Sequence, residues 1–442
     1  MPLFSATDKQ LWRLALPMVL SNITVPLMGL VDTGIIGHLN SSVYLGGVAV
    51  GTTITSFLFM LLLFLRMSTT GMTAQAWGAA DATALARALV QPLILSLVAG
   101  LLFMLCRHPV SQLATSFIGG SPQLLEQARI FIDTRWLSAP ATFANLVILG
   151  WLLWVQYARA PVILLVVGNL VNIVLEVWFV WHLNMGVQGA AAATVIAEYV
   201  SLLMGLLLVY QVLKRRQISV GLLVNGWRGD IKRLLGLNRD ILLRSLLLQI
   251  CFASLTMAGA RLGSQIVAVN ALLMMFLTFT AYALDGFAYA VEAVSGEAYG
   301  ARESSKLQEV WKASCRQAGI VALAFSVIYA VAGREIVAML TSLPDLRQLA
   351  DRYLIWQVIL PLVGVAGYLL DGLFIGATRG REMRNSMAVS ALGFGVMLLS
   401  VPWLGNHGLW LALCVFMVLR GITLGACWRH HQRRGSWFTP SS

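Results

Sequence analysis

Apolar residues do not alternate with polar ones along this chain; they come in runs of about 20, the length that crosses a bilayer as a helix. Such runs predict helices at roughly 11–37, 44–66, 86–106, 126–156, 161–182 and 187–213. A second set follows at roughly 240–260, 264–293, 315–333, 352–376, 386–404 and 407–428. Hydrocarbon cannot satisfy open strand edges, so helices are the expected form. No ten-residue alternating segments of an outer-membrane barrel are present. The predicted fold is all-α: a polytopic membrane protein of twelve transmembrane helices.

Short motifs recur between the halves. Val48-Ala49-Val50 returns as Val267-Ala268-Val269, and Ala76-Trp77-Gly78-Ala79 as Ala298-Tyr299-Gly300-Ala301. Pro140 matches Pro361, and Gly186 and Gly189 match Gly405 and Gly408, all at offsets of 219–222. Six helices per half is an even number, so the halves form a parallel repeat, with a binding site expected between them. The expected division is an N-terminal six-helix bundle over 1–213, a charged linker over 214–239 and a C-terminal bundle with a short tail over 240–442. Within the linker, Ile231 to Leu237 reads as a short amphipathic piece.

Composition agrees with this pattern. Of the 442 residues, 58% are hydrophobic and only 11% charged, against about 25% charged in soluble domains. The net charge of +12 lies in gaps between apolar runs, with no basic stripe carrying interleaved aromatics, so nucleic acid is not an expected partner. The bases instead carry a topology signal. Lys9, Arg66, Arg87, Arg159, the Lys214–Arg239 stretch, Lys306, Arg379 and Arg433 fall on one side of the alternating loops. The positive-inside rule then puts both termini in the cytoplasm of a plasma or bacterial inner membrane. The start, Met1 to Gln10, lacks the pattern of a cleaved signal peptide. Five scattered cysteines form no CxxC or Cys/His cluster, so neither a disulfide framework nor a metal site is indicated.

Ionisable groups inside apolar runs are costly and need a reason. Asp32 lies near one end of helix 1, six residues before His38; Glu176 lies six residues before His182 in helix 5. Thr194 descends helix 6 from the same side, and Asn172 is one turn from Glu176 on its face. These four fall at similar depth and can form an oxygen-rich pocket for a proton or Na⁺. Glu198, one turn past Thr194, reads equally as a network member or an interhelical hydrogen-bond partner. Asp133 and Arg135 look like a structural pair or rim charges. Asp371 in helix 10 is flanked by Leu369, Leu370, Leu373 and Phe374, and function and interhelix bonding are even alternatives for it. Arg244 reads as an interface anchor. Met274, Met275, Phe276, Phe279 and Tyr282 cluster on helix 8, where they either line a substrate path or face lipid and neighbours. Pro17 and Pro26 are possible bends in helix 1. No catalytic motif stands in a supporting context.

The run Val31-Asp32-Thr33-Gly34-Ile35-Ile36-Gly37-His38-Leu39, followed by Gly46-Gly47-Val48-Ala49-Val50-Gly51, resembles the multidrug and toxic compound extrusion (MATE) family. Gly376-Ala377-Thr378-Arg379-Gly380, Asn172 to Glu176 and Gly186 to Thr194 also resemble family motifs. The resemblance implies a secondary active antiporter that exports lipophilic, often cationic compounds in exchange for H⁺ or Na⁺, with no cofactor and no enzymatic step. It implies a cation site of Asp32, Asn172, Glu176 and Thr194. Family members often carry Asp where this chain has Glu176. A helix-10 acid of another branch maps onto Asp371, without an evident helix-7 partner acid. The expected partners are small lipophilic or cationic substrates and membrane lipids, and a monomer is expected. Met275 and Phe279 are candidates for the substrate cavity. A lipid-linked precursor flippase of the same superfamily, which calls for a more cationic cavity, and an integral-membrane enzyme are the alternatives.

Overall fold

The computed structural model describes residues 4–37, 39, 42–117, 121–155, 159–229 and 231–438, apart from the side chains at 24–34, 37, 42, 45, 49, 264 and 267. Twelve main helices follow in order. They are α1 (Ala6–Gly37), α2 (Ser42–Leu61, resuming as Phe64–Gly78), α3 (Ala82–Leu105) and α4 (Pro122–Arg135, carried through Trp136–Ser138 into Ala139–Trp154). Next come α5 (Ala160–Val177, extended by the π turn Trp178–His182), α6 (Gly186–Arg215), α7 (Lys232–Leu262) and α8 (Ser264–Gly300). The chain ends with α9 (Ser304–Leu340), α10 (Pro344–Gly376), α11 (Gly380–Leu398) and α12 (Asn406–Arg434). Among the described residues there is no strand, and ten spans are long and apolar enough to cross a membrane. The chain is a multi-pass, all-helical membrane protein.

The element boundaries differ from the pattern reading where polar residues are buried. Helix 2 was expected to stop at Arg66, yet α2 continues to Gly78. Ser68, Thr69, Thr70, Thr73 and Gln75 are buried there, and Thr69 and Thr70 return their hydroxyls to the carbonyls of Leu65 and Arg66. A polar stretch buried inside the bundle reads as a loop to any hydropathy pattern. Likewise the amphipathic piece expected at Ile231 to Leu237 is the first turns of α7.

Packing is governed by the repeat. α2 packs on α3 and α4, α3 on α4, α4 on α6 and α5 on α6; six helices later α8 packs on α9 and α10, α9 on α10, α10 on α12 and α11 on α12. One close crossing is the same in both sets. A Cβ added to Gly150 would lie 2.7 Å from the carbonyl oxygen of Arg66, and one on Gly372 would lie 2.6 Å from that of Ala288. Both members of the pair are displaced by 222 residues. Only glycine permits this approach of α4 to α2 and of α10 to α8. The matched glycines that begin the sixth and twelfth helices share a left-handed backbone, with φ of 63° at Gly186 and 61° at Gly405.

By its contacts the chain falls into two compact units, one of Ile23–Leu234 and one of Met1–Asn22 with Leu235–Ser442. The first half of α1 therefore packs with the C-terminal helices rather than with the bundle of 1–213 expected from the sequence. The residues responsible are specific. The Asp8 carboxylate accepts from the Arg316 guanidinium at 2.8 and 3.0 Å and from the Ser5 backbone N–H at 2.8 Å. Burial alone would raise the Asp8 carboxyl, but the Ser5 N–H and the Arg316 guanidinium outweigh it and hold the group below its ordinary value. Trp12 donates its indole N–H to Gln317 at 2.9 Å and meets the Phe287 ring edge-on at 4.8 Å. Asn22 donates to the Tyr282 carbonyl at 3.2 Å. α1 itself runs unbroken through Pro17 and Pro26.

In the other unit, the linker is pinned at three points. Arg216 lies over the Trp77 ring at 4.4 Å, Arg87 donates to the Arg228 carbonyl at 3.2 Å, and Arg233 donates to Gln75 at 2.6 Å.

The glycine crossings give the first prediction. Gly372→Ala should lower the thermal stability of the purified protein, since forcing a methyl into a packed crossing costs about 1–3 kcal/mol. Gly395→Ala, with nothing within 4 Å of the added methyl, is the matched control and should leave melting unchanged. Equal melting of the two variants would remove the crossing as a constraint.

Candidate coupling site

The side chains of α5 and α6 build one polar patch in the unit of Ile23–Leu234. Asn172 and Glu176 are one turn apart on α5, and both are buried. Thr194, half-buried on α6, donates its hydroxyl to the Asn172 amide oxygen at 3.3 Å and shares it with its own Ala190 carbonyl at 3.2 Å. That second bond is local and turns the hydroxyl toward α5. Immediately after Glu176 the helix widens into the π turn Trp178–His182. Such turns are rare and concentrate at functional sites.

The same turn ties α5 to α1. Trp181 donates its indole N–H to the Ile35 carbonyl at 3.1 Å. Ile35 and Ile36 pack with Val180 and Ala190 in a small apolar cluster. Asp32 is three residues before Ile35 and Glu176 five before Trp181. At a helical rise of about 1.5 Å per residue, the two positions differ by only about 3 Å along the helices. The Asp32 side chain itself lies outside the described residues. Three of the four residues singled out from the sequence, Asn172, Glu176 and Thr194, are thus close together on two packed helices, and the fourth is three residues before Ile35 on α1.

Other acids sort differently. Glu198 does not join this patch. It accepts from the Asn145 amide at 3.0 Å and pairs with Arg135 at 3.6 Å, so it clasps α6 to α4. Asp133 and Arg135 do not pair with each other, as the sequence suggested. Residues two apart on a helix point to different sides. Asp133 takes His108 at 3.0 Å and the Ser111 hydroxyl at 2.8 Å. Arg135 turns inward and also donates to the Ser138 hydroxyl.

In the C-terminal unit, Asp371 accepts from Arg244 at 2.5 Å and from Arg420 through the same carboxylate oxygen. All three side chains are buried. Arg244 is therefore not the interface anchor its place at the start of a predicted helix suggested. Its position on α7, three turns into a helix that begins at Lys232, carries it inside. Arg420 escaped the sequence reading. The signal was present: a lone base within the apolar run Phe416 to Ile422, which lipid tolerates only if paired. The helix-8 cluster splits. Phe276 is core, edge-on to Tyr329 at 5.0 Å, whereas Met275 and Phe279 share one exposed face.

A family model described as MatE matches residues 17–178 and again 241–402. The chain belongs to the MatE family. Its two matched segments restate the internal repeat, one per set of six helices. The chain is 69% identical to DNA damage-inducible protein F of Escherichia coli (strain K12), covering 99% of this chain and 95% of that protein. It is 23% identical to the probable multidrug resistance protein NorM of Acinetobacter baylyi, covering 93% and 95%. Among solved structures, MATE in the bent conformation superposes with a TM-score of 0.87 at 22% identity, covering 99% of this chain and 98% of that one. MATE in the straight conformation gives 0.84 at 21%, with the same coverage. The MatE family is a family of transporters rather than enzymes, and its solved members share this twelve-helix fold.

The Arg135–Glu198 clasp gives the second prediction. Arg135→Met leaves a carboxylate without its cation and should cost about 1–3 kcal/mol of stability. Arg135→Met combined with Glu198→Gln should recover most of that loss. A double-mutant cycle on thermal melting measures it, and strictly additive losses would mean that the pair is not coupled.

Proposed function

We propose that this transporter is a secondary active antiporter that exports lipophilic, often cationic compounds and is driven by inward H⁺ or Na⁺. The Asn172–Thr194 bond beside buried Glu176 is the observation that carries this reading. A carboxyl in low-dielectric surroundings is disfavoured as a bare anion. A proton or a small hard cation held by surrounding oxygens relieves that cost. Exchange follows if ion and substrate stabilise different arrangements of the same helices, because equal affinity for both arrangements shifts nothing.

α1 suits that role. Its first half is held by Asp8 and Trp12 to helices of the C-terminal unit, while its second half, from Ile23, belongs to the unit containing the polar patch. A change of charge at Asp32 therefore acts on a helix shared between units. No cofactor is needed: the ion gradient supplies the energy. We place the chain in a bacterial inner membrane as a monomer, with both termini and the Lys214–Arg239 linker in the cytoplasm, on the strength of the loop bases. NorM of Acinetobacter baylyi is described as a probable multidrug resistance protein, which agrees with a broad range of exported compounds. Met275 and Phe279, exposed together on α8, offer an adaptable apolar surface for them.

Two experiments test this. In inverted vesicles at matched protein levels, Asp32→Asn should cut gradient-driven transport of a fluorescent cation about tenfold or more, while Asp133→Asn keeps most of it. Full gradient-driven transport by Asp32→Asn would eliminate Asp32 as the coupling group. For topology, a cysteine placed in the linker should resist an impermeant reagent in intact cells; ready labelling would reverse the orientation.

A further inference from the structure

The Arg244–Asp371–Arg420 centre has more donors than it has acceptors. Each guanidinium is a fork of N–H groups suited to two parallel bonds with one carboxylate. Here neither makes that bidentate pair. Both reach the same oxygen of Asp371 with a single terminal nitrogen. The Nε–H of Arg244 and the Nε–H of Arg420 are both buried without an acceptor. The one other bond from Arg420 goes to the Met417 sulfur at 3.7 Å, a weak acceptor. A buried donor left unmet costs about 1–3 kcal/mol, more when it is charged. A centre built only to clasp α7, α10 and α12 would close its forks on the carboxylate.

The surroundings are those of an amphipathic ligand. The Arg420 guanidinium lies over the rings of Tyr368 at 5.6 Å and Phe416 at 5.7 Å. Asp285 on α8 lies near enough to act electrostatically on Arg420 and Tyr368, so the centre is not a bare positive charge. Its excess is of N–H donors. Arg244, Asp371 and Arg420 each keep 4–6% exposure. Tyr368 and Asp285 beside them are half-buried.

We propose that Arg244 and Arg420, set in place by Asp371, bind the oxyanion of an amphipathic ligand: a carboxylate, sulfonate or phosphate carried on an apolar body. The oxyanion takes the unmet N–H donors, and the aromatic walls take the body. Asp371 then serves as a positioning residue that competes with the ligand for the same guanidiniums. This site is separate from the polar patch of α5 and α6 and does not depend on the coupling proposed there.

Binding needs no ion gradient, so it is tested on the purified full-length protein. The probes are dansylglycine, a carboxylate on an apolar fluorophore, and dansylglycinamide, its neutral counterpart. Fluorescence titration should show at least about a tenfold preference for the carboxylate, or 1.4 kcal/mol. Arg420→Gln should abolish that preference while leaving the weak amide binding in place, and Arg420→Lys should keep part of it. Asp371→Asn removes the competing carboxylate and should tighten dansylglycine binding, whereas a clasp without ligand-binding function predicts unchanged or weaker binding. Should Arg420→Gln fail to fold, Arg420→Gln combined with Asp371→Asn removes a charge of each sign and carries the same expectation. The source of the oxyanion is separated in nanodiscs. Loss of dansylglycine binding on adding phosphatidylglycerol to phosphatidylcholine assigns the site to a lipid phosphate, and retention assigns it to a soluble compound. Equal affinity for acid and amide, or a preference that survives Arg420→Gln, overturns the proposal and leaves an interhelical clasp only.

Discussion

A charge surrounded by hydrocarbon has to be paired, neutralised or reached by water, and the arrangement of this protein turns on how each buried ionisable group meets that condition. Glu198 meets it through Arg135 and Asn145, at 3.6 and 3.0 Å. Asp371 meets it through two arginines. Asp8 meets it through Arg316 and Ser5. In each case the cation is fixed, so the acid is a structural element between helices. On α5 and α6 Glu176 lies one turn from Asn172, whose amide oxygen accepts from the Thr194 hydroxyl.

The glycine crossings give that chemistry its frame. Gly150 against Arg66 and Gly372 against Ala288 bring backbones close at equivalent points of the two sets of six helices. Close crossings make the helices rigid neighbours. Gly186 and Gly405, at the starts of the helices that carry Thr194 and Arg420, share a positive φ that favours glycine. Equivalent frames thus hold different chemistry: neutral oxygens in one half, guanidiniums in the other.

Much of the fold was legible in the sequence because bilayer length and loop charge are coarse, additive signals. The twelve helices, the repeat and the proximity of Asn172 to Thr194 all follow from spacing. Three features were not legible for physical reasons. The polar continuation of α2 past Arg66 returns the Thr69 and Thr70 hydroxyls to its own carbonyls, and no hydropathy pattern separates such a stretch from a loop. The partners of Arg135 and Asp133 depend on which way each side chain leaves the helix, and that is set by tertiary packing. Arg244 and Arg420 meet at Asp371 across 127 and 49 residues of chain, and only the packing of α7, α10 and α12 brings them together.

The central claim is that ion and exported compound exclude one another through the carboxyls at the level of Asp32 and Glu176. The most direct measurement is proton release by the purified protein in weakly buffered detergent when tetraphenylphosphonium is added. The account predicts release from the wild type that disappears in Asp32→Asn while cation binding persists, with Na⁺ suppressing the signal if Na⁺ occupies the same oxygens. Undiminished release from Asp32→Asn and from Glu176→Gln alike would contradict it.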